Sequence, residues 1–287
     1  MTLKRIQCGA SFIVRSMLLP ASAIAHELGV TPTNMVHKGE PVSKRTEHTS
    51  IRNHSACIFN STLGEEIELA SHLAQVMGTF EDRLAPLHRL RSRSAEFEFR
   101  LFFGSESNSA SACLPAGLLT RVAALEADVM LDLFPPGDSH LDEELSTSTC
   151  SVVLRASSMV MTPGDLVRRI GLFPAWASQR DAPQDGVRPF VRSLGDHLVV
   201  YAAPDHDCQS CDAALAFILD AVGNDRRVGQ ELDRSVRMDI HIEACSPYGQ
   251  ASTWVGAPVL KRLGELRLDL YIDLYPPDSS QMRSATG

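Results

Sequence analysis

Residues 127–139 read ADVMLDLFPPGDS, and residues 268–280 read LDLYIDLYPPDSS. In the first stretch Val129, Leu131 and Leu133 alternate with Asp128, Met130, Asp132 and Phe134. In the second, Leu270, Ile272 and Leu274 alternate with Asp269, Tyr271, Asp273 and Tyr275. A period of two over this length predicts a half-buried strand with its aliphatic side chains inward. The paired prolines stop it, because proline offers no N–H to a ladder. Both stretches carry aspartates at the same two places, so one strand is written twice.

The repetition extends in both directions. The offset of 141 residues (273 − 132) also pairs Leu119 with Leu260, Arg121 with Arg262 and Leu125 with Leu266. Nearer the start, Ser11-Phe12-Ile13-Val14-Arg15 aligns with Ser151-Val152-Val153-Leu154-Arg155, and AIAHELGVTP (Ala23–Pro32) with DLVRRIGLFP (Asp165–Pro174). A period this long is a domain duplication rather than a solenoid. It predicts a first repeat domain over residues 1–138, a polar, acidic linker over 139–149 and a second repeat domain over 150–287.

Within each copy the pattern predicts β-α-β-α-β-α-β. The first strand is an apolar run, and a short helix follows with Ile24 and Leu28, or Leu166 and Ile170, on one face. Gly29 and Gly171 are placed to end those helices in the left-handed conformation that glycine tolerates. A second strand is expected over 55–60 and 197–202, then a long helix carrying Leu69, Leu73, Val76 and Met77, or Leu215, Ile218, Leu219 and Val222. The third strand alternates Phe97, Phe99, Leu101 and Phe103 with Glu96, Glu98 and Arg100; its counterpart alternates Met238, Ile240 and Ile242 with Arg237, Asp239, His241 and Glu243. Strands with one polar face argue for a mostly antiparallel sheet with helices on one face. The expected fold class is therefore α+β: a duplicated two-layer domain, packed as a pseudo-twofold monomer.

Composition narrows the function classes. With 44% hydrophobic and 22% charged residues the chain of 287 residues is an ordinary globular one. A net charge of −8 disfavours nucleic acid and anionic membrane as partners and suits a basic protein surface. Seven scattered cysteines fit a reducing cytoplasm better than a disulfide framework. The N-terminal stretch imitates an export signal, with Lys4, Arg5 and small residues near Ala23, but Arg15 splits its apolar run and the segment has a counterpart inside the chain. A folded strand and helix are expected there, in a cytoplasmic protein.

The loop Leu28-Gly29-Val30-Thr31-Pro32-Thr33 with His37-Lys38-Gly39-Glu40, the long amphipathic helix and the terminal alternating strand together resemble the bacterial domain-of-unknown-function family 4279, here in two tandem copies. The second copy keeps Gly171 and Pro174 but has AWASQRDAPQDG in place of the His-Lys-Gly, and neither copy has the tryptophan that often opens the second strand in that family. The resemblance implies the fold and a bacterial origin, and brings no chemistry.

Candidate chemistry is sparse. Asp239, His241, Asp269 and Asp273 share one sheet face, where carboxylates around a histidine can bind a divalent metal or move protons; the plainer reading is a solvated face, or arginines such as Arg100 and Arg237 pairing with the acids. Cys208 and Cys211 form a C-x-x-C at the expected start of the second long helix, where a redox pair is sensible, although no second C-x-x-C completes a zinc site. His37, His48 and His54 lie in one long loop without ligand spacing. Asp128 and Asp132, with Trp176 and Trp254 in loops beside the elements, are candidates for contacting a partner. There is no P-loop, nucleophile elbow or dinucleotide fingerprint, so neither a catalytic set nor a cofactor is expected. The leading expectation is a non-enzymatic module that binds another protein, of immunity or antitoxin type, facing a basic toxin domain. The alternative is a metal-dependent hydrolase or thiol oxidoreductase confined to the second copy.

Overall fold

The computed structural model describes residues 6–42, 50–105, 110–134, 149–171, 176–178, 197–203, 210–223, 236–245 and 251–275. The first half runs β1 (Ile6–Ser16), α1 (Ala21–Leu28), β2 (Asn34–Val36), β3 (Ser55–Asn60), α2 (Leu69–Gly78), α3 (Leu84–Arg91), β4 (Ala95–Ser105), β5 (Ala110–Leu114), α4 (Ala116–Ala124) and β6 (Asp128–Phe134). The second half runs β7 (Thr149–Ser158), α5 (Pro163–Ile170), β8 (Trp176–Ser178), β9 (His197–Ala202), α6 (Cys211–Gly223), β10 (Val236–Cys245), β11 (Ala251–Val255), α7 (Ala257–Glu265) and β12 (Asp269–Tyr275). From Ile6 onward, the stretch that imitates an export signal forms β1 and α1. Nearly all of the expected linker lies outside the described residues.

The α+β class holds, and each copy carries two strands more than its periodicity predicts. β2 and β8 have three residues each, too few for a period to show. β5 (ASACL) and β11 (ASTWV) have five, mostly small, and run directly into a helix. The helix α3 is a further addition in the first copy.

The short strands decide the architecture. One sheet has the order β11-β6-β4-β1-β3-β2 and the other β5-β12-β10-β7-β9-β8. β5 leaves its own half to pair antiparallel with β12, and β11 pairs antiparallel with β6 in return. Each sheet therefore takes five strands from one half of the chain and its outermost strand from the other. Among the described residues only β4 with β6 and β10 with β12 run parallel, because the chain crosses over through the exchanged strand and a helix between them.

Register also corrects the alignment of the copies. Ile13 faces Glu98 in the first sheet, while Arg155 faces Asp239 in the second. The first strands thus correspond at an offset of 142, Ser16 with Ser158 (158 − 16), and not at the offset that pairs Arg15 with Arg155. A slip of two residues keeps every side chain on its face, so the sequence pattern does not reveal it. Ser16 and Ser158 confirm the match: each Oγ accepts two backbone N–H groups, from Leu18 and Leu19 and from Val160 and Met161.

One hydrophobic core runs through both halves, from Phe12, Phe99 and Leu119 to Leu260, Ile240 and Leu270, all at 0% exposure. Phe12 anchors the first half, with ring centroids 4.6 Å from Phe80 and 4.7 Å from Phe99. The glycines expected to end α1 and α5 do so in the left-handed region, Gly29 at φ +62° and Gly171 at φ +76°. No helix among the described residues is long and apolar enough to cross a membrane.

Candidate functional site

The polar face of the second sheet is closed upon itself. β10 lies between β7 and β12, so Asp239, His241 and Glu243 on β10 stand among Arg155, Tyr271 and Asp273 on its neighbours. His241 Nδ1 lies 2.5 Å from Asp273 Oδ2, and its Nε2 lies 2.8 Å from Asp239 Oδ1. Both ring nitrogens face carboxylate oxygens, an arrangement that favours the protonated ring. Burial by itself pushes the imidazole down; the hydrogen bonds to Asp239 and Asp273 and the charge of Asp273 outweigh it and raise the pKa above the ordinary value. The ring of Tyr271 stacks on it, centroids 4.7 Å apart. Arg155 and Arg237 approach Asp239 to 3.7 and 3.4 Å.

This corrects the expectation of a solvated face here: Asp239, His241 and Asp273 are only 6%, 4% and 5% exposed. Both His241 nitrogens are engaged by carboxylates in this arrangement. Among the described residues no group of three or more His, Cys, Asp or Glu side chains is placed to hold a metal ion. Asp269, the fourth residue of that expected set, stands apart. Its Oδ1 accepts the N–H of Ala116, the first residue of α4, at 2.9 Å.

In the first sheet the corresponding ladder is Glu98, Arg100 and Asp132, with Arg100 where the second has His241. Arg15 donates to Glu98, and Arg100 lies 3.1 Å from Glu98 and 3.7 Å from Asp132. Ser252, on the exchanged strand β11, donates to Asp132 at 3.0 Å. Pairing of arginines with acids is therefore the rule on both faces. The first ladder remains open to water, with the Arg100 side chain 46% exposed.

The seam between the copies holds a large concavity. α4 and α7 pack against each other closely enough that a Cβ on Gly264 would lie 3.1 Å from Thr120 Cα. Asp128 Oδ1 accepts the N–H of Ala257, the first residue of α7, at 2.9 Å, mirroring Asp269 and Ala116. Beside this helix pair lies a cleft of about 1020 Å³, walled by β1 and β4 of the first copy and by α7 of the second. Its charged lining comprises three cations, Arg15, Arg91 and Lys261, and five carboxylates, Glu96, Glu98, Glu126, Asp128 and Glu265. Arg15 pairs with Glu98, Arg91 lies 3.0 Å from Glu126 and Lys261 lies 3.9 Å from Glu265, which leaves two acids outside these pairs, Asp128 on the Ala257 N–H and the exposed Glu96.

The remaining candidates fall out as follows. Cys208 lies outside the described residues, whereas Cys211 opens α6 and shares a hydrogen bond with Cys150 of β7. The tryptophans are not in loops. Trp176 belongs to β8, and Trp254 belongs to β11, opposite Met130 and 44% exposed. His48 lies outside the described residues, and the backbone of His37 bonds to Glu40 while the ring of His54 bonds to Asn53.

Sequence reasoning missed Ser61 and His72, which fold brings together at 2.7 Å, with His72 Nε2 donating to the carbonyl of Gly64 at 3.1 Å. The pair resembles a nucleophile and its base, but the flanking N–H groups of Thr62 and Leu63 are already committed to Gln75 and to Ser61 Oγ. With those donors used, it reads as a pin for the loop between β3 and α2.

Residues 6–134, from β1 to β6, match a family model described as Domain of unknown function (DUF4279), in agreement with the resemblance of the first copy. No curated protein matches the chain.

Proposed function

We propose that the protein is a non-enzymatic binding module that receives a basic segment of a protein partner in the cleft at the seam of its two copies. The observation that carries this reading is the cleft itself, where five carboxylates outnumber three cations and the wall is shared by both halves. The net charge of −8 adds a long-range field of the same sign, which speeds the approach of a cationic partner. The strongest acid–base groups elsewhere are consumed by one another, as His241 is between Asp239 and Asp273. The specific form of this reading is a bacterial, cytoplasmic protein of immunity or antitoxin type that neutralises a basic toxin domain.

The test is fluorescence anisotropy with lysine- and arginine-rich peptides against neutral ones of equal length. Binding of the basic peptides is expected to fall steeply with added salt and in Glu96→Gln/Glu265→Gln, while the variant unfolds at an unchanged denaturant concentration. Equal binding of neutral peptides, or indifference to the double substitution, sinks the cleft as the site. The toxin version is tested separately: relatives whose genes never lie beside a toxin or secreted effector gene count against it.

A further inference from the structure

The two copies supply their own control for the cysteines. At the structural offset of 142, Cys8 corresponds to Cys150 (150 − 8) and Leu69 to Cys211 (211 − 69); at 141, Ala112 corresponds to Thr253 (253 − 112). The spot is built alike in both halves. The long helix begins there, packed on the first strand of its own half, and the exchanged strand contacts the same helix. In the first copy those two positions hold the apolar Leu69 and Ala112, the backbone of Leu69 bonds the Cys8 thiol, and burial still pushes that thiol up. In the second copy both positions carry side chains that can bond sulfur. Cys211 hydrogen-bonds Cys150 and Thr253, and sits as the first residue of the 13-residue helix α6.

We propose that Cys150 and Cys211 form a reversible dithiol–disulfide site, closed by exchange with a small-molecule disulfide of the glutathione class. Geometry sets the roles. Cys150 is half-buried and Cys211 is buried, so the oxidant meets Cys150 first. The Cys150 thiolate attacks one sulfur of the incoming disulfide and releases one thiol, leaving a mixed disulfide. Cys211 then attacks the Cys150 sulfur and expels the second thiol. The net change oxidises two protein thiols to one disulfide and reduces the small disulfide to two thiols. The N-terminus of α6 and the Thr253 hydroxyl stabilise the attacking Cys211 thiolate. In the reduced protein the hydrogen bond with Cys150, together with that of Thr253, outweighs burial and leaves this thiol below its ordinary pKa; once Cys150 is in the mixed disulfide, Thr253 and the helix N-terminus remain. By contrast Cys57 of the first copy, which donates to Ala21 O, is pushed up to about 11 by burial. The cross-link would tie α6 to β7, two elements already in contact.

The experiment equilibrates the full-length reduced protein with excess oxidised glutathione, blocks residual thiols with N-ethylmaleimide in denaturant, and maps the digest by mass spectrometry. A Cys150–Cys211 linked peptide is expected in the wild type and equally in Cys208→Ser, and dithiothreitol should reverse it. Thr253→Ala, which installs the first copy's residue, should slow its formation several-fold without loss of fold by circular dichroism. Recovery of both cysteines as maleimide adducts overturns the proposal. So does a Cys208–Cys211 link in the wild type, which would assign the chemistry to the C-x-x-C instead.

Discussion

Asp128 and Asp269 each bond the helix of the other copy: Asp128 Oδ1 accepts the N–H of Ala257, and Asp269 Oδ1 accepts that of Ala116, both at 2.9 Å. Each carboxylate begins a final strand and satisfies one of the orphan donors in the first turn of α7 or α4. The residues that cap these helices in their own chain segments, Gly256 and Pro115, provide no side-chain bond. The aspartates therefore persist in both copies because each copy needs the other's.

Removing either carboxylate should destabilise the whole protein. Asp128→Ala and Asp269→Ala are each expected to cost about 0.5–2 kcal/mol, the range for lost helix N-terminal acceptors. Asp128→Asn and Asp269→Asn keep an acceptor and should retain most of it. Urea midpoints of the four variants decide the matter, and a neutral alanine variant would show that its helix is held by packing alone.

The same seam predicts the effect of one methyl group. A Cβ on Gly264 would lie 2.3 Å from Thr120 Oγ1 and 3.1 Å from its Cα. Gly264→Ala should cost about 1–3 kcal/mol as α4 and α7 are forced apart. Adding Thr120→Ala removes the nearer atom but not the backbone contact, so the double variant should recover part of the loss. Full recovery would mean that only the hydroxyl stood in the way.

How legible this was depends on chain length between contacts. The strand pattern of Val129, Leu131 and Leu133 is local, and all three are fully buried as the alternation predicts. The aspartates were visible as a repeated surface, but their acceptor role was not, because Ala116 and Ala257 lie in the opposite copy. Cys211 is tied by sequence to Cys208, three positions away, whereas its described partner Cys150 lies on strand β7, far back in the chain. Strand exchange was hidden because β5 and β11 are too short and small to carry a period, although they choose the sheets.

Exchange makes a thermodynamic prediction. A sheet that borrows its outer strand, over a core continuous from Phe12 to Leu270, cannot lose one half without exposing the other. Unfolding of the full chain should be a single cooperative transition, with calorimetric and van't Hoff enthalpies in agreement. Two resolved transitions would show that the borrowed strands contribute little to cohesion.

His241 should make stability fall on the alkaline side. Its folded pKa is raised above the ordinary 6.5. A raised pKa contributes stability that is complete below the unfolded value and is lost as pH climbs through the folded one. Above that point the neutral ring leaves Asp239 and Asp273 buried with one fewer cation between them. Urea midpoints measured from about pH 6 to about pH 9 should therefore decline, and the decline should disappear in His241→Arg. Arginine is the residue the first copy places at this position, as Arg100 between Glu98 and Asp132. His241→Leu removes the charge at every pH and is expected to cost about 3–5 kcal/mol, the penalty for stranding a buried partner. A pH profile in His241→Arg that still follows the wild type would assign the slope to another group and reject the buried imidazolium.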